Sequence, residues 1–527
     1  FKRLTPGAAG ATGDRSRSGG SVKLTLPAPR PRCRLDFAKP LPQKQRARMV
    51  SVPTQTYAEW RAAALAAVTL RETRDGVPSE RPLQLVWLHQ RLRPEALKTL
   101  DAAILRVLHP GFWNREAGPD CTGAVLQFGS DPPRAGDVEI DLHTPGWRAH
   151  GHAVNPAYRN VILHVVWEAS APAVPAFPTL PLRSCLEAPV EELLAWMDLD
   201  LEPPALVLGL CHRPLRQLPE PVVTELLHQA ALVRLERKGR ELAARARHVG
   251  WEQALWEGLC AALGYKHNVW PMRRLAELWP RLADRGLPAE PLLLQARLLG
   301  LGGLLPHDPP PKNRPGWIQL RLLWDSWWRE RDALTELALP PSLWRLGGVR
   351  PANHPQRRLA LAAHWAARGD LPHRLEGWFH GHPSPAEAED TLRRALGVET
   401  DSFWSWHWTL GSPRLPQPHP RLGRPRLTDL AVNVILPWLW TRAEAGGNEA
   451  LCREARRRYR AWPAGQDNAV LRRARQRLLG TASPRLFPTA ALQQGLLQIV
   501  RDFCLHANAL CDGCDLPECL ATLVGSE

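Results

Sequence analysis

Two groups of side chains in this sequence have the types and spacing for chemistry. The first is the run Gly136-Asp137-Val138-Glu139-Ile140-Asp141-Leu142-His143. In a strand, alternate residues share a face, so Asp137, Glu139, Asp141 and His143 line one side and Val138, Ile140 and Leu142 the other. Carboxylates in a row repel one another and need either solvent or a cation. Mg²⁺ or Mn²⁺ suits such a set, because these ions take a few carboxylates together with water and phosphate oxygens. Asp120 stands just before the neighbouring run and is placed to reach the same ion, so Asp120, Glu139 and Asp141 are the candidate metal ligands. Four histidines, His143, His150, His152 and His164, gather nearby. His164 falls inside the apolar run Val161 to Val166 and needs a polar partner there. His152 and His164 are the candidate proton carriers. The competing reading of the strand is a solvated acidic face without an ion.

The second group is cysteine. The chain has ten Cys, and Cys504, Cys511, Cys514 and Cys519 fall together near its end, after an apolar-periodic stretch over Ala490 to Phe503. Four thiolates at this spacing can enclose a [4Fe–4S] cluster or a tetrahedral Zn²⁺. Both metals stay open, beside the plainer reading of four free thiols. The spacing is similar to the cluster loop of endonuclease III-type glycosylases, one residue shorter at its end. No helix-hairpin-helix signature accompanies it, so the resemblance extends to the loop alone. Residues 450–480 add nine Arg, among them Arg456, Arg457, Arg460, Arg472 and Arg473, with Tyr459 and Trp462 interleaved. Arginine on phosphates and aromatics under bases is how single strands are held, which makes DNA or RNA the candidate partner. Two solvated helix faces would read the same way.

Pro119-Asp120 followed by Glu139-Ile140-Asp141 resembles the PD-(D/E)xK nuclease core, with Ile104–Leu108 as its first strand. The resemblance implies a divalent-metal-dependent nuclease acting on phosphodiesters; Asp141 departs from it by standing where that core has a water-activating lysine. A non-catalytic nucleic-acid-binding or scaffold protein with a structural metal is the alternative function, and a hydrolase of another phosphate or acyl substrate is a third. Longer segments, GFWNREAGPDCTGAVLQFG, GDVEIDLHTPGWRAHGHAVNPAYRNVILHVVW and QQGLLQIVRDFCLHANALCDGC, resemble the bacterial family called domain of unknown function 2851. Weaker likeness continues through ALGYKHNVWPMRRLAELWP and VRPANHPQRRLALAA. This chain departs from the family pattern at Cys121 (Phe in the family), Asp141 (His), Gly146 (Asp) and Asn155 (Asp). The resemblance supplies a family and no reaction.

The elements that must position these residues follow from periodicity and turn chemistry. Ile104–Leu108, Thr122–Phe128, Asp137–His143, Asn160–Trp167 and Leu180–Cys185 read as strands of a small sheet, separated by Pro- and Gly-bearing breaks. Helices are expected over Tyr57–Leu70 and Pro94–Asp101 before the sheet, and over Val190–Met197 after it. From Glu220 the pattern is helical: Glu220–Arg247, Trp251–Leu263, Arg273–Arg285, Ala289–Leu299, Ile318–Ala333 and Gln356–Ala367. The expected fold class is α+β: a disordered basic tail at 1–48, a small mixed α/β domain at 49–205, a large helical domain at 206–500 and a metal-binding terminus at 501–527.

A length of 527 residues with 44% hydrophobic and 23% charged side chains is globular composition and excludes wholesale disorder. No apolar run is long enough for a membrane span; Leu292 to Leu305 is short and contains Arg297. No secretory signal is visible, and the cytoplasm is the expected compartment. The net charge of +16 is concentrated in the first 48 residues, and the chain has 60 Arg against 8 Lys, the skew of a GC-rich genome. Global charge therefore says little about nucleic acid, and local clustering must carry that argument. Most of the 23 Trp lie in the helical half and are expected to fill its core.

Overall fold

The computed structural model describes residues 52–524, apart from 75–76, 115–116, 170–177, 197–207, 287–288, 309–310, 314, 382–383, 398–400, 481–486 and 507–510. The basic tail expected over 1–48 lies outside the described residues.

The architecture is α+β, a sheet near the N-terminus followed by many helices. A two-residue ladder, β1 (Thr73–Arg74) with β2 (Val77–Pro78), precedes the main sheet. The main sheet is built from β3 (Leu105–His109), β4 (Phe112–Trp113), β5 (Cys121–Phe128), β6 (Arg134–His143), β7 (Val161–Glu168) and β8 (Thr179–Pro181). Its order is β3-β5-β6-β7-β8, with β4 paired to β5. The first pairings are antiparallel, while β6–β7 and β7–β8 are parallel. A parallel step needs a crossover of a dozen or more residues. Here residues 144–160 supply it, with the short helix Gly146–Ala149 and 3₁₀ turns at His152–Val154 and Pro156–Tyr158. That crossover carries His150 and His152 back over the sheet.

Val138, Ile140, Leu163 and Val165 bury one face against Leu83, Val86 and Trp87 of the helix Glu80–His89. Fully burying such side chains stabilises by about 1.5–3 kcal/mol each. Glu139 and Asp141 point the other way, as alternation requires, yet both are buried, because the crossover covers them.

Three expected elements differ from those found. Pro94–Asp101 forms only a 3₁₀ turn at Pro94–Ala96. Beyond it the backbone extends, with the Leu105 N–H donating to the Leu97 carbonyl and Thr99 N–H to Ala103. Pairing with the sheet satisfies these groups, so helix propensity loses. Arg273–Arg285 is two helices, Val269–Glu277 and Trp279–Ala283, divided just before Pro280, which has no N–H to donate. Leu180–Cys185 stops as a strand at Pro181 and turns into a 3₁₀ segment, Arg183–Cys185. The helix Glu80–His89 was not anticipated.

In the helical part, the 30-residue helix Glu220–Val249 packs against Ala490–Phe503 and Leu436–Ala445. Trp365, Trp404, Trp438, Trp440 and Trp462 are wholly buried, as core filler. Arg245 and Glu257 form a buried bidentate pair at 2.7 and 3.0 Å, tying Glu220–Val249 to Trp251–Leu263. Among the described residues, no helix is long and apolar enough to cross a membrane.

Candidate metal centre

Strand β6 brings Glu139 and Asp141 to the buried side of the crossover, with exposures of 6% and 2%. Parallel pairing sets Glu139 opposite His164 on β7, and the His164 Nε2 lies 2.8 Å from the Asp141 Oδ2. The partner that a histidine in an apolar strand requires is therefore Asp141. The other oxygen of Asp141, Oδ1, lies 3.1 Å from His150 Nδ1. His152 Nε2 lies 3.1 Å from Glu139 Oε1. That approach lacks hydrogen-bond alignment, and both His152 ring nitrogens are buried without an aligned partner. Proximity and alignment disagree here; the alignment matters more, because a hydrogen bond weakens steeply off-line.

Asp141, His150 and His152 each offer a ligand atom, and the three atoms lie within 4.8 Å of one another. Asp120 and Glu139 stand beside this trio and outside it. Asp120 Oδ2 accepts from the Ile140 N–H at 3.0 Å, its Oδ1 accepts from Gln84 Nε2 at 2.7 Å, and its own N–H donates to Glu139 Oε2 at 3.1 Å. Of the expected face, Asp137 is turned to the Gly123 N–H at 3.0 Å, and His143 is exposed. A register shift between Asp137 and Val138 in the β6–β7 ladder separates Asp137 from the others.

The crossover is held down by aromatic packing. Trp147 meets His152, Tyr158 and His164 with ring centroids 5.4, 5.9 and 5.8 Å away. His152 stacks on Tyr158 at 4.0 Å. Gly146 lets this happen: a Cβ there would lie 2.7 Å from the Asp141 Cγ and Oδ1.

Crowded acids in a poorly solvated place hold their protons. Burial, then the charges of Asp120 and Asp141, push the Glu139 carboxyl up to about 8. Burial also lifts Asp120 to about 7, with Glu80 and Asp141 adding to it and the Ile140 N–H and Gln84 opposing. Glu80 is raised by burial and by Asp141. Burial lowers His152, which favours the neutral imidazole that a metal requires. The donor set of two imidazoles and one carboxylate suits Mn²⁺ or Zn²⁺ better than Mg²⁺.

Glu80 and Gln84 escaped the sequence reading because their helix did. Ser79 at the cap position and Pro82 in the first turn were the available signals. His150 was visible as part of a histidine cluster, but its place beside Asp141 depends on how the crossover folds.

The arginine-rich segment is largely neutralised. Arg456 pairs with Glu236 at 3.0 Å, Arg457 with Glu454 at 2.7 Å and Arg460 with Glu225 at 2.7 Å. Arg472 and Arg473 are exposed on the helix Ala469–Leu479. Of the terminal cysteines, Cys504 and Cys511 are buried and Cys514 and Cys519 half-buried.

No curated protein and no solved structure matches the chain. A family model does, over residues 80–468, a stretch that begins at Glu80 and takes in every residue of the centre just described. With that match covering most of its length, the chain belongs to the family described as "Protein of unknown function (DUF2851)".

Proposed function

We propose that this chain is a divalent-metal-dependent hydrolase of nuclease type, acting on DNA or RNA phosphodiesters. The observation that carries the reading is the convergence of Asp141, His150 and His152 within 4.8 Å, flanked by Glu139 and Asp120, whose carboxyls burial pushes up to about 8 and about 7. An ion held there would polarise a phosphoryl oxygen and acidify a water. Glu139, whose carboxyl is raised by burial, would be the group to supply the proton that the departing alkoxide needs. His164 fixes Asp141 through the 2.8 Å contact and so holds the ligand in place. His150 has a half-exposed side chain, which leaves the centre an opening to solvent and substrate. Arg148 and Arg159, exposed on the same crossover, would be the cations to meet phosphate. They replace the paired arginines 456, 457 and 460 in that role; Arg472 and Arg473 remain available as more distant phosphate contacts.

A second reading, a non-catalytic nucleic-acid-binding or scaffold protein, is favoured by one observation. Both Asp141 oxygens already meet histidine, so that carboxylate is satisfied without an ion. Cleavage assays separate the two. Pure protein is incubated with plasmid, single-stranded DNA and RNA in Mn²⁺, Zn²⁺ or Mg²⁺, comparing wild type with His152→Ala and Glu139→Gln. The expected result is Mn²⁺- or Zn²⁺-dependent cleavage that falls by about 10²-fold or more in both variants. Wild-type protein that binds nucleic acid but cleaves none of these substrates with any ion would leave the second reading standing.

A further inference from the structure

A fifth cysteine belongs with the terminal four. Cys211 sits just before the helix His212–Gln217 and is 2% exposed. That helix packs on both Ala469–Leu479 and Leu516–Val524. The junction is stitched by backbone: the Gly209 N–H donates to the Arg477 carbonyl at 2.9 Å, and His212 Nδ1 lies 3.2 Å from the Leu478 carbonyl. The fit is close, since a Cβ at Gly209 would stand 3.1 Å from the Cys211 Sγ.

Arg477 is the hub. It is 2% exposed, and its Nη2 donates to the Cys511 Sγ at 2.9 Å. It also hydrogen-bonds Cys504. Cys211 and Cys504 lie buried in one cluster of side chains, and Cys514 packs against it. Cys519 is not part of that cluster. Cys211, Cys504, Cys511 and Cys514 are thus the thiols gathered about Arg477, and Cys519 stands apart.

The loop that brings two of them in is conformationally costly. Cys511 holds φ +64°, a left-handed conformation that disfavours a residue with a side chain. Gly513 follows at φ +73°, and the Cys514 N–H closes the turn on the Cys511 carbonyl at 3.2 Å. The turn aims both sulfurs inward at that expense. Among the described residues, no three of these thiols come within 4.8 Å of one another. A single Zn²⁺, with Zn–S bonds of about 2.3 Å, would draw its sulfurs to roughly 3.8 Å. The wider spread suits a polynuclear centre.

We propose that Cys211, Cys504, Cys511 and Cys514 hold an iron–sulfur cluster, with Arg477 donating a hydrogen bond to the Cys511 ligand and Cys519 left out of the coordination. Iron, part of it supplied as ferric ion as the oxidised cluster requires, and inorganic sulfide come from outside, and each thiol releases its proton to solvent on ligation. The four thiolates make the assembled site anionic, and the buried guanidinium offsets part of that charge. None of these residues belongs to the histidine–carboxylate centre, so the outcome of the cleavage assays does not bear on this one.

The test uses the full chain, purified anaerobically, with iron, acid-labile sulfide and zinc measured per chain. Wild type is expected to carry iron and sulfide in equal amounts, with an absorption band at roughly 400 nm that reductant bleaches. Cys211→Ser is expected to lose both to background, while Cys519→Ser keeps the wild-type content. Circular dichroism reports whether Cys211→Ser is folded, and Arg477→Gln supplies an independent reading. Removing a hydrogen bond and a positive charge from the ligand sulfur should move the reduction potential to more negative values while the cluster stays bound. Full iron content in Cys211→Ser with loss in Cys519→Ser, an unchanged potential in Arg477→Gln, stoichiometric zinc, or a metal-free wild type would each overturn the proposal.

Discussion

Asp141 fills the space that a side chain at 146 would need. The two positions at which the resembled family carries His and Asp are thus in contact, and here they carry Asp and Gly. One carboxylate is present in either arrangement, reached from the strand here and from the crossover in the family pattern. Gly146→Ala is expected to cost about 1–3 kcal/mol in urea unfolding, because the Asp141 carboxyl must give way. In a double-mutant cycle, Gly146→Asp combined with Asp141→His should be milder than the two single costs added, by about 1 kcal/mol or more. Additive losses would mean the positions are independent. The protonated acids give a second residue-scale expectation. Asp120 and Glu139 have folded values of about 7 and 8, above their ordinary 3.8 and 4.5. The folded state therefore holds protons that the unfolded chain releases above about pH 4. Their contribution to stability is full below that pH and is lost as pH rises through 7 and 8. In chelator, the protein should be less stable at pH 8.5 than at pH 5, and Glu139→Gln should shrink that difference. A difference unchanged by the substitution would place the titration elsewhere.

At the scale of elements, helix contact is set by glycine where backbones touch. Gly495, inside Ala490–Phe503, faces Glu220–Val249 so closely that a Cβ would lie 2.0 Å from the Leu227 carbonyl oxygen. Gly377, inside Leu371–His380, has nothing within 4 Å of the same position. Gly495→Ala is expected to destabilise by roughly 3 kcal/mol. Gly377→Ala should instead stabilise by about 0.5–1 kcal/mol, the ordinary helical gain. Thermal unfolding of the two variants checks the contrast, and a loss of similar size in both would contradict it. Elements of this length were legible in the sequence wherever a single period ran uninterrupted. Glu220–Val249, Trp251–Leu263 and Ala490–Phe503 show this, as do β5, β6 and β7. Pro94–Asp101 was not legible, because its extended form is decided by hydrogen bonds to Ala103 and Leu105. The strand β6 announced Glu139 and Asp141 as a pair on one face. It did not announce that a 17-residue crossover would bury them and exchange Asp120 for His150 and His152 around the candidate ligand positions. Nothing in the spacing of Cys211 links it to the terminal cysteines, since only the packing of His212–Gln217 brings it there.

At the scale of the whole molecule, the sheet does little more than present one loaded strand and its crossover, and the helices form a frame behind it. The frame is tied together by buried charge as well as by tryptophan. Removing one partner of the Arg245–Glu257 pair, as in Glu257→Gln, strips the buried guanidinium of its bidentate carboxylate and is expected to cost about 3 kcal/mol in denaturant unfolding. The central claim is that this frame presents a cation site made of Asp141, His150 and His152. The most direct measurement is anomalous diffraction at the manganese edge from crystals of the full chain grown with Mn²⁺, wild type beside His152→Ala. The account predicts one strong peak within about 2.0–2.3 Å of a ligand atom from each of those three residues, absent from the variant. No peak among them, or a peak held by other residues and indifferent to His152→Ala, would contradict it.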